Sequence, residues 1–145
     1  MAEMNSSERM AAEWACERLV RQFALLNDER DHEGVAALFT RDASFTRPFD
    51  PDNPIVGQEN IMVMFRDRPQ RLSRHVMTNT VVDVISPTEA RGRTYLMFVS
   101  STDVTSPRPV KAEPGVHLGQ YDDSFVLTES GWRFQKRLGS LSLTV

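Results

Sequence analysis

The chain has 145 residues, 40% of them hydrophobic and 26% charged, with a formal charge of −3 at pH 7. That size and balance describe one domain able to bury a core, and the acidic charge gives no basic footprint for nucleic acid. Cys16 is the single cysteine, which excludes an intrachain disulfide, and no apolar run approaches the ~18 residues that would span a membrane.

The segment Met1–Arg9 is polar and lacks the apolar stretch of a signal peptide, so a cytoplasmic location is expected. The whole chain, 1–145, reads as one domain, with residues 1–7 a loose lead-in. Ser6-Ser7-Glu8 suits the start of a helix, and no Gly or Pro interrupts the sequence from there to Arg30. Trp14, Ala15, Leu19, Val20, Phe23 and Leu26 recur at three- and four-residue spacings, which makes one apolar helix face. Val20, Ala24 and Asp28 fall on an adjacent flank, so Asp28 belongs at the edge of the buried stripe. Asp31 is the expected N-cap of a second short helix, from His32 to about Phe39. A short strand is expected at Asp42–Thr46, then a turn-rich stretch from Pro48 to Pro54, then a third helix from Gln58 to Asp67 closed by Pro69.

Beyond that helix the apolar period changes from 3.6 to 2, and four strands are expected at 73–85, 89–103, 115–128 and 131–144. Helices followed by consecutive strands joined by turns argue an α+β fold with an antiparallel sheet. Strict alternation puts His75, Met77, Asn79 and Val81 on one face, and Arg91, Arg93, Tyr95, Met97 and Val99 on one face of the next strand. It groups Gly119, Tyr121, Asp123 and Phe125, and sets Trp132, Phe134 and Lys136 opposite Arg133, Gln135 and Arg137. Apolar residues occur on both faces, which fits a sheet covered by helices on one side and by a second subunit on the other.

The sequence has no glycine-rich phosphate loop, no Cys or His pair at metal-ligand spacing and no Gly-x-Ser-x-Gly elbow. What remains is acid–base chemistry. Imidazole titrates nearest neutrality, and a carboxylate on one ring nitrogen leaves the other free to accept a proton. Asp28 and His75 are the candidates for such a pair, against the plainer alternatives of a helix-end cap and a structural strand histidine. Cys16 reads as a core residue, Asp123 as a structural partner of an arginine such as Arg93, and His117 as a surface or loop-adjacent residue.

Five segments carry a family resemblance: Leu26–Asp31, Leu38–Ala43, His75–Asn79, Gly119-x-Tyr121-x-Asp123 and Gly131-Trp132-Arg133. Together they resemble the SnoaL-like family of the nuclear transport factor 2-like superfamily, over about residues 10–140. The resemblance implies a cystatin-like cone, with N-terminal helices packed into a strongly curved sheet around a deep pocket. Within the superfamily the chain is similar to the scytalone dehydratases and hexachlorocyclohexane dehydrochlorinases, lyases that use an Asp–His pair and no cofactor. Asp28 stands 14 residues before Asp42-Ala43, and His75 stands just before Thr78-Asn79, as the pair does in the dehydrochlorinases. The catalytic roles therefore carry to Asp28 and His75.

The same resemblance makes Arg137 a pocket position, five residues beyond Trp132. Tyr121, Asn79 and Tyr95 are further expected substrate-binding groups, with Phe65, Met77 and Met62 as apolar wall. The expected activity is a dehydratase, dehydrohalogenase or cyclase type of lyase or isomerase, acting on a small apolar cyclic or polyketide-like molecule. No cofactor, metal, nucleic acid or membrane is expected, and self-association as a homodimer or higher homo-oligomer is. The rival expectation is a non-catalytic binding module, such as the small subunit of ring-hydroxylating oxygenases.

Overall fold

The uninterrupted helical period at the N-terminus becomes helix α1, Ser6–Asp28, in a computed structural model that describes residues 3–145. The first two positions of the expected lead-in lie outside the described residues. The cap of α1 is Asn5 rather than Ser6: its side chain accepts from the Glu8 amide, and Glu8 reaches back to the Asn5 amide. This reciprocal pair satisfies two of the amides that every helix start leaves open. Helix α2, His32–Ala36, is capped by Asp31 as expected but stops three residues short of Phe39. Phe39 instead opens strand β1, Phe39–Thr46, which pairs with the last strand at Phe39 and again over Ser44–Thr46.

Strand β2, Ile55–Val56, is a two-residue pairing with Ser44 and Phe45 that the proline-rich turn concealed. Helix α3 is Gln58–Asp67, and strands β3 to β6 are Leu72–Ser86, Glu89–Ser101, His117–Thr128 and Gly131–Thr144. The six strands form one sheet in the order β2-β1-β6-β5-β4-β3. Only β1 and β6 run parallel, and every other pairing is antiparallel. The turn between β5 and β6 needs a positive φ at Gly131, 106°, which favours glycine.

Helix α1 packs against the sheet, and its Phe23 is fully buried. Phe23 makes edge-on contacts with Phe39, Phe45, Phe65, Tyr121 and Phe134 at centroid distances of 5.6–6.2 Å. Those five rings come from β1, α3, β5 and β6, so one side chain ties helix and sheet together. Edge-on aromatic pairs each add about 0.5–1.5 kcal/mol beyond the area they bury.

Two of the sheet's register shifts move expected site residues between faces. In β3 the register slips between Thr78 and Val81, and Asn79 takes a left-handed φ of 57°. An extra residue there swaps faces, so Asn79 and Val81 point outward while Val82 and Val84 are buried. In β6 the register slips opposite Ser124 and Phe125, so Phe134 and Arg137 both face inward and Lys136 is exposed.

Candidate active site

Asp28 is the last residue of α1, and the chain turns sharply after it through Arg30, whose φ is 60°. The Arg30 guanidinium donates to the carbonyls of Arg68 and Pro69, which holds this corner against the end of α3. The corner sets Asp28 beside the start of β3. Its carboxylate accepts three hydrogen bonds: from the Ser73 hydroxyl at 2.8 Å, from the His75 amide at 3.0 Å and from His75 Nδ1 at 2.6 Å. Both side chains of the pair are about 90% buried, with relative exposures of 9% for His75 and 10% for Asp28. A carboxylate with three donors is held in one orientation, and it holds the imidazole in turn.

The far nitrogen, Nε2, lies 3.4 Å from the Asn27 side-chain amide. The other end of that amide, Oδ1, accepts from Arg68 at 2.7 Å. A guanidinium only donates, so Asn27 must turn its oxygen to Arg68 and its NH₂ to His75. An NH₂ also only donates, so Nε2 must be the accepting nitrogen. Both ends of the ring therefore assign the same tautomer, with the proton on Nδ1 and the lone pair on Nε2. At 3.4 Å the Asn27 contact is long and weak, and a substrate group can displace it.

His75 opens on a cavity of about 470 Å³. Asp28 does not line it; the carboxylate stands behind the imidazole. Phe45, Phe65, Leu96, Phe98 and Tyr121 form apolar walls, and Arg30, Arg47, Arg68 and Arg71 bring charge. Phe98 packs on the His75 ring at 4.7 Å, and Phe49 meets His117 edge-on at 4.9 Å. Among the described residues no group of three or more His, Cys, Asp and Glu side chains converges as a metal site.

The expected site residues divide into three groups. Asp28 and His75 meet, and Tyr121 and Phe65 line the cavity. Arg137 does not reach it: the side chain is wholly buried behind Tyr121. Its guanidinium stacks on Tyr121, Phe23 and Phe134 at 3.8, 4.3 and 4.6 Å and lies 3.2 Å from Asp123. Burial pushes Asp123 up to about 7, with the nearby Arg137 pulling the other way. Burial likewise pushes the Tyr121 phenol up to about 12, which keeps it a neutral donor.

Asn79, Tyr95, Met77 and Met62 lie outside the cavity. Asn79 is turned outward by the bulge, and Tyr95 is 51% exposed on the outer face of β4. Met77 packs against the core, and Met62 is half-buried on α3, away from the cavity wall. Arg93 pairs with Asp122, not Asp123. His117, expected as a surface or loop-adjacent residue, follows the loop before β5 and also lines the cavity, and Asn27, Arg68 and Ser73 enter the site unannounced. Asn27 had one available signal: it directly precedes Asp28 at a helix end.

A SnoaL-like domain model matches residues 8–138. The chain belongs to the SnoaL-like domain family. A search of curated proteins finds no match. Among solved structures, the chain is similar to a candidate scytalone dehydratase from Novosphingobium aromaticivorans DSM 12444. The identity is 24% and the TM-score 0.81, covering 97% of this chain and 91% of that one. It is also similar to a hexachlorocyclohexane dehydrochlorinase, LinA type 2, at 16% identity and a TM-score of 0.81, covering 97% and 92%. A third similar structure is an NTF2-like protein with a cystatin-like fold, again from N. aromaticivorans. It is 16% identical with a TM-score of 0.71, covering 91% of this chain and 82% of that one. At these identities the likeness establishes the cystatin-like α+β fold that the family resemblance implied. Among the described residues no helix is long and apolar enough to cross a membrane.

Proposed function

We propose that this SnoaL-like protein is a lyase or isomerase that works without a cofactor, with His75 as general base and Asp28 as its orienting acid. The observation that carries the reading is the 2.6 Å contact between Asp28 Oδ1 and His75 Nδ1, in a histidine that lines a cavity. Nε2 removes a proton from carbon or hydroxyl, and the Asp28 carboxylate stabilises the imidazolium that forms. Tyr121, held neutral by burial, donates to the oxygen or leaving group that gains charge. Dehydration, dehydrohalogenation and isomerisation share the first step. The apolar walls suit a small ring or polyketide-like body.

Proton abstraction can be tested whichever group leaves. Cavity-sized cyclic ketones and hydroxylated or halogenated rings are incubated with the protein in D₂O, and deuterium uptake is followed by mass spectrometry. His75→Ala and Asp28→Asn should each slow uptake by roughly 10²–10⁴-fold. Wild-type exchange in either folded variant would overturn the assignment.

The outer face of the sheet is proposed as the self-association surface. Val76, Met97, Leu118 and Leu143 pair in one row across β3, β4, β5 and β6. Val76, Met97 and Leu143 are 48%, 38% and 63% exposed, which leaves a continuous apolar band for a second copy to cover.

A further inference from the structure

We propose that the cavity recognises a carboxylate, so that its occupant is an apolar molecule bearing one acidic group held by Arg68 and Arg47. The proposal rests on the reading of His75 as base only in calling that occupant a substrate. The preference for an anion stands on the arginines themselves.

Four arginines line the cavity, and the one acid that lines it with them, Glu113, accepts from the Thr102 hydroxyl and amide instead of from an arginine. Arg30 is tied by one N–H from each terminal nitrogen to a backbone carbonyl. Arg47 pairs with Asp50 through one terminal nitrogen at 2.8 Å, and its Nε is buried with no partner. Arg68 is the more exceptional. One terminal nitrogen donates to Asn27, the plane is covered by Phe65 at 4.7 Å, and Nε is buried with no partner. No carboxylate forms an ion pair with it among the described residues.

Buried charges are ordinarily paired, because desolvation is costly. Here burial first, and then Arg30, Arg47 and Arg71, push the Arg68 guanidinium down to about 10. The fold thus gathers like charges around a hydrogen-bonding fork with donors to spare. A carboxylate matches the remaining terminal N–H groups of that fork in shape and charge, and would relieve the repulsion. Arg68 and His75 flank the same Asn27 side chain. An acid anchored at Arg68 therefore sets the carbons next to its carboxylate nearest to Nε2.

Titration calorimetry at pH 8 compares two probes of one shape, 2-naphthoate and 2-naphthamide. The wild type should bind naphthoate about tenfold or more tightly than the amide. Added salt should weaken the acid and leave the amide unmoved. Arg68→Gln should erase the preference, and Arg47→Gln should reduce it. His75→Gln should retain it, which separates this inference from the role of the base. Equal affinities in the wild type, no naphthoate binding at millimolar concentration, or a preference that survives Arg68→Gln or vanishes in His75→Gln would each overturn the proposal. If Arg68→Gln does not fold, the wild-type salt dependence and Arg47→Gln decide it.

Discussion

Replacing Asp28 by Asn keeps the shape of the side chain and removes one acceptor. The carboxylate receives two hydrogen bonds on Oδ1, from Ser73 and His75 Nδ1, and one on Oδ2, from the His75 amide. An amide can satisfy only one of those sides. With its oxygen toward Nδ1, its NH₂ meets the His75 N–H donor to donor. With its oxygen toward the backbone, its NH₂ faces Nδ1 and forces the proton onto Nε2. Nε2–H would then confront the Asn27 NH₂ and could no longer accept a proton. Either orientation leaves a buried donor unmet, at a cost of about 1–3 kcal/mol. For a domain of this size that lowers Tm by roughly 2–12 °C, at about 2–4 °C per kcal/mol. The chemical effect is larger, a loss of about 10²–10⁴ in proton-transfer rate, because the wrong tautomer disables the base. Melting curves and deuterium uptake on one preparation separate the two effects. A folded Asp28→Asn protein within tenfold of wild-type exchange would refute the tautomer argument.

Three other predictions follow from groups outside the dyad. Burial raises Asp123 from an ordinary 3.8 to about 7, so the folded state holds that proton more tightly than the unfolded chain. The associated stability is complete below about 4 and is lost as pH rises through 7, so wild-type Tm should decline across that window relative to Asp123→Asn. A parallel pH dependence in both proteins would contradict this. Burial, reinforced by Asp123 and Glu17, pushes the Cys16 thiol up to about 12, so a thiol reagent at neutral pH should modify it only as fast as the protein unfolds. Rapid labelling of the native protein would show that the α1 face opens. Met97→Arg, at the middle of the outer apolar row, should shift the mass measured by light scattering from a dimer to a monomer and leave the fold's circular dichroism intact. An unchanged mass would place any interface elsewhere.

The periodicity of the sequence located α1, α3 and the four long strands to within about two residues at most ends, because each carries an amphipathic pattern long enough to read. Strand β2 was hidden, since two residues hold no pattern. The bulges were hidden for a related reason: one extra residue inverts every later side chain without altering composition. That is why Asn79 was expected inside and lies outside, and why Arg137 was set opposite Phe134 and shares its face. Asp28 and His75 were legible chiefly through the family resemblance of Leu26–Asp31 and His75–Asn79, since side-chain chemistry alone left a helix-end cap and a structural strand histidine open. Asn27 and Arg68 were not, because an amide that orients a histidine and a guanidinium that orients the amide are defined only by position in space. His117 adjoins the loop before β5, as expected, but its contact with Phe49 joins distant segments and no local pattern encodes it.

The most direct test of the account is the nitrogen-15 spectrum of the His75 ring in the wild-type protein, at a pH where the imidazole is neutral. The arrangement of Asp28, His75 and Asn27 predicts a protonated Nδ1, with its hydrogen-bonded proton far downfield, and a bare Nε2. A spectrum with the proton on Nε2 would contradict it, since a ring so protonated could not serve as the base.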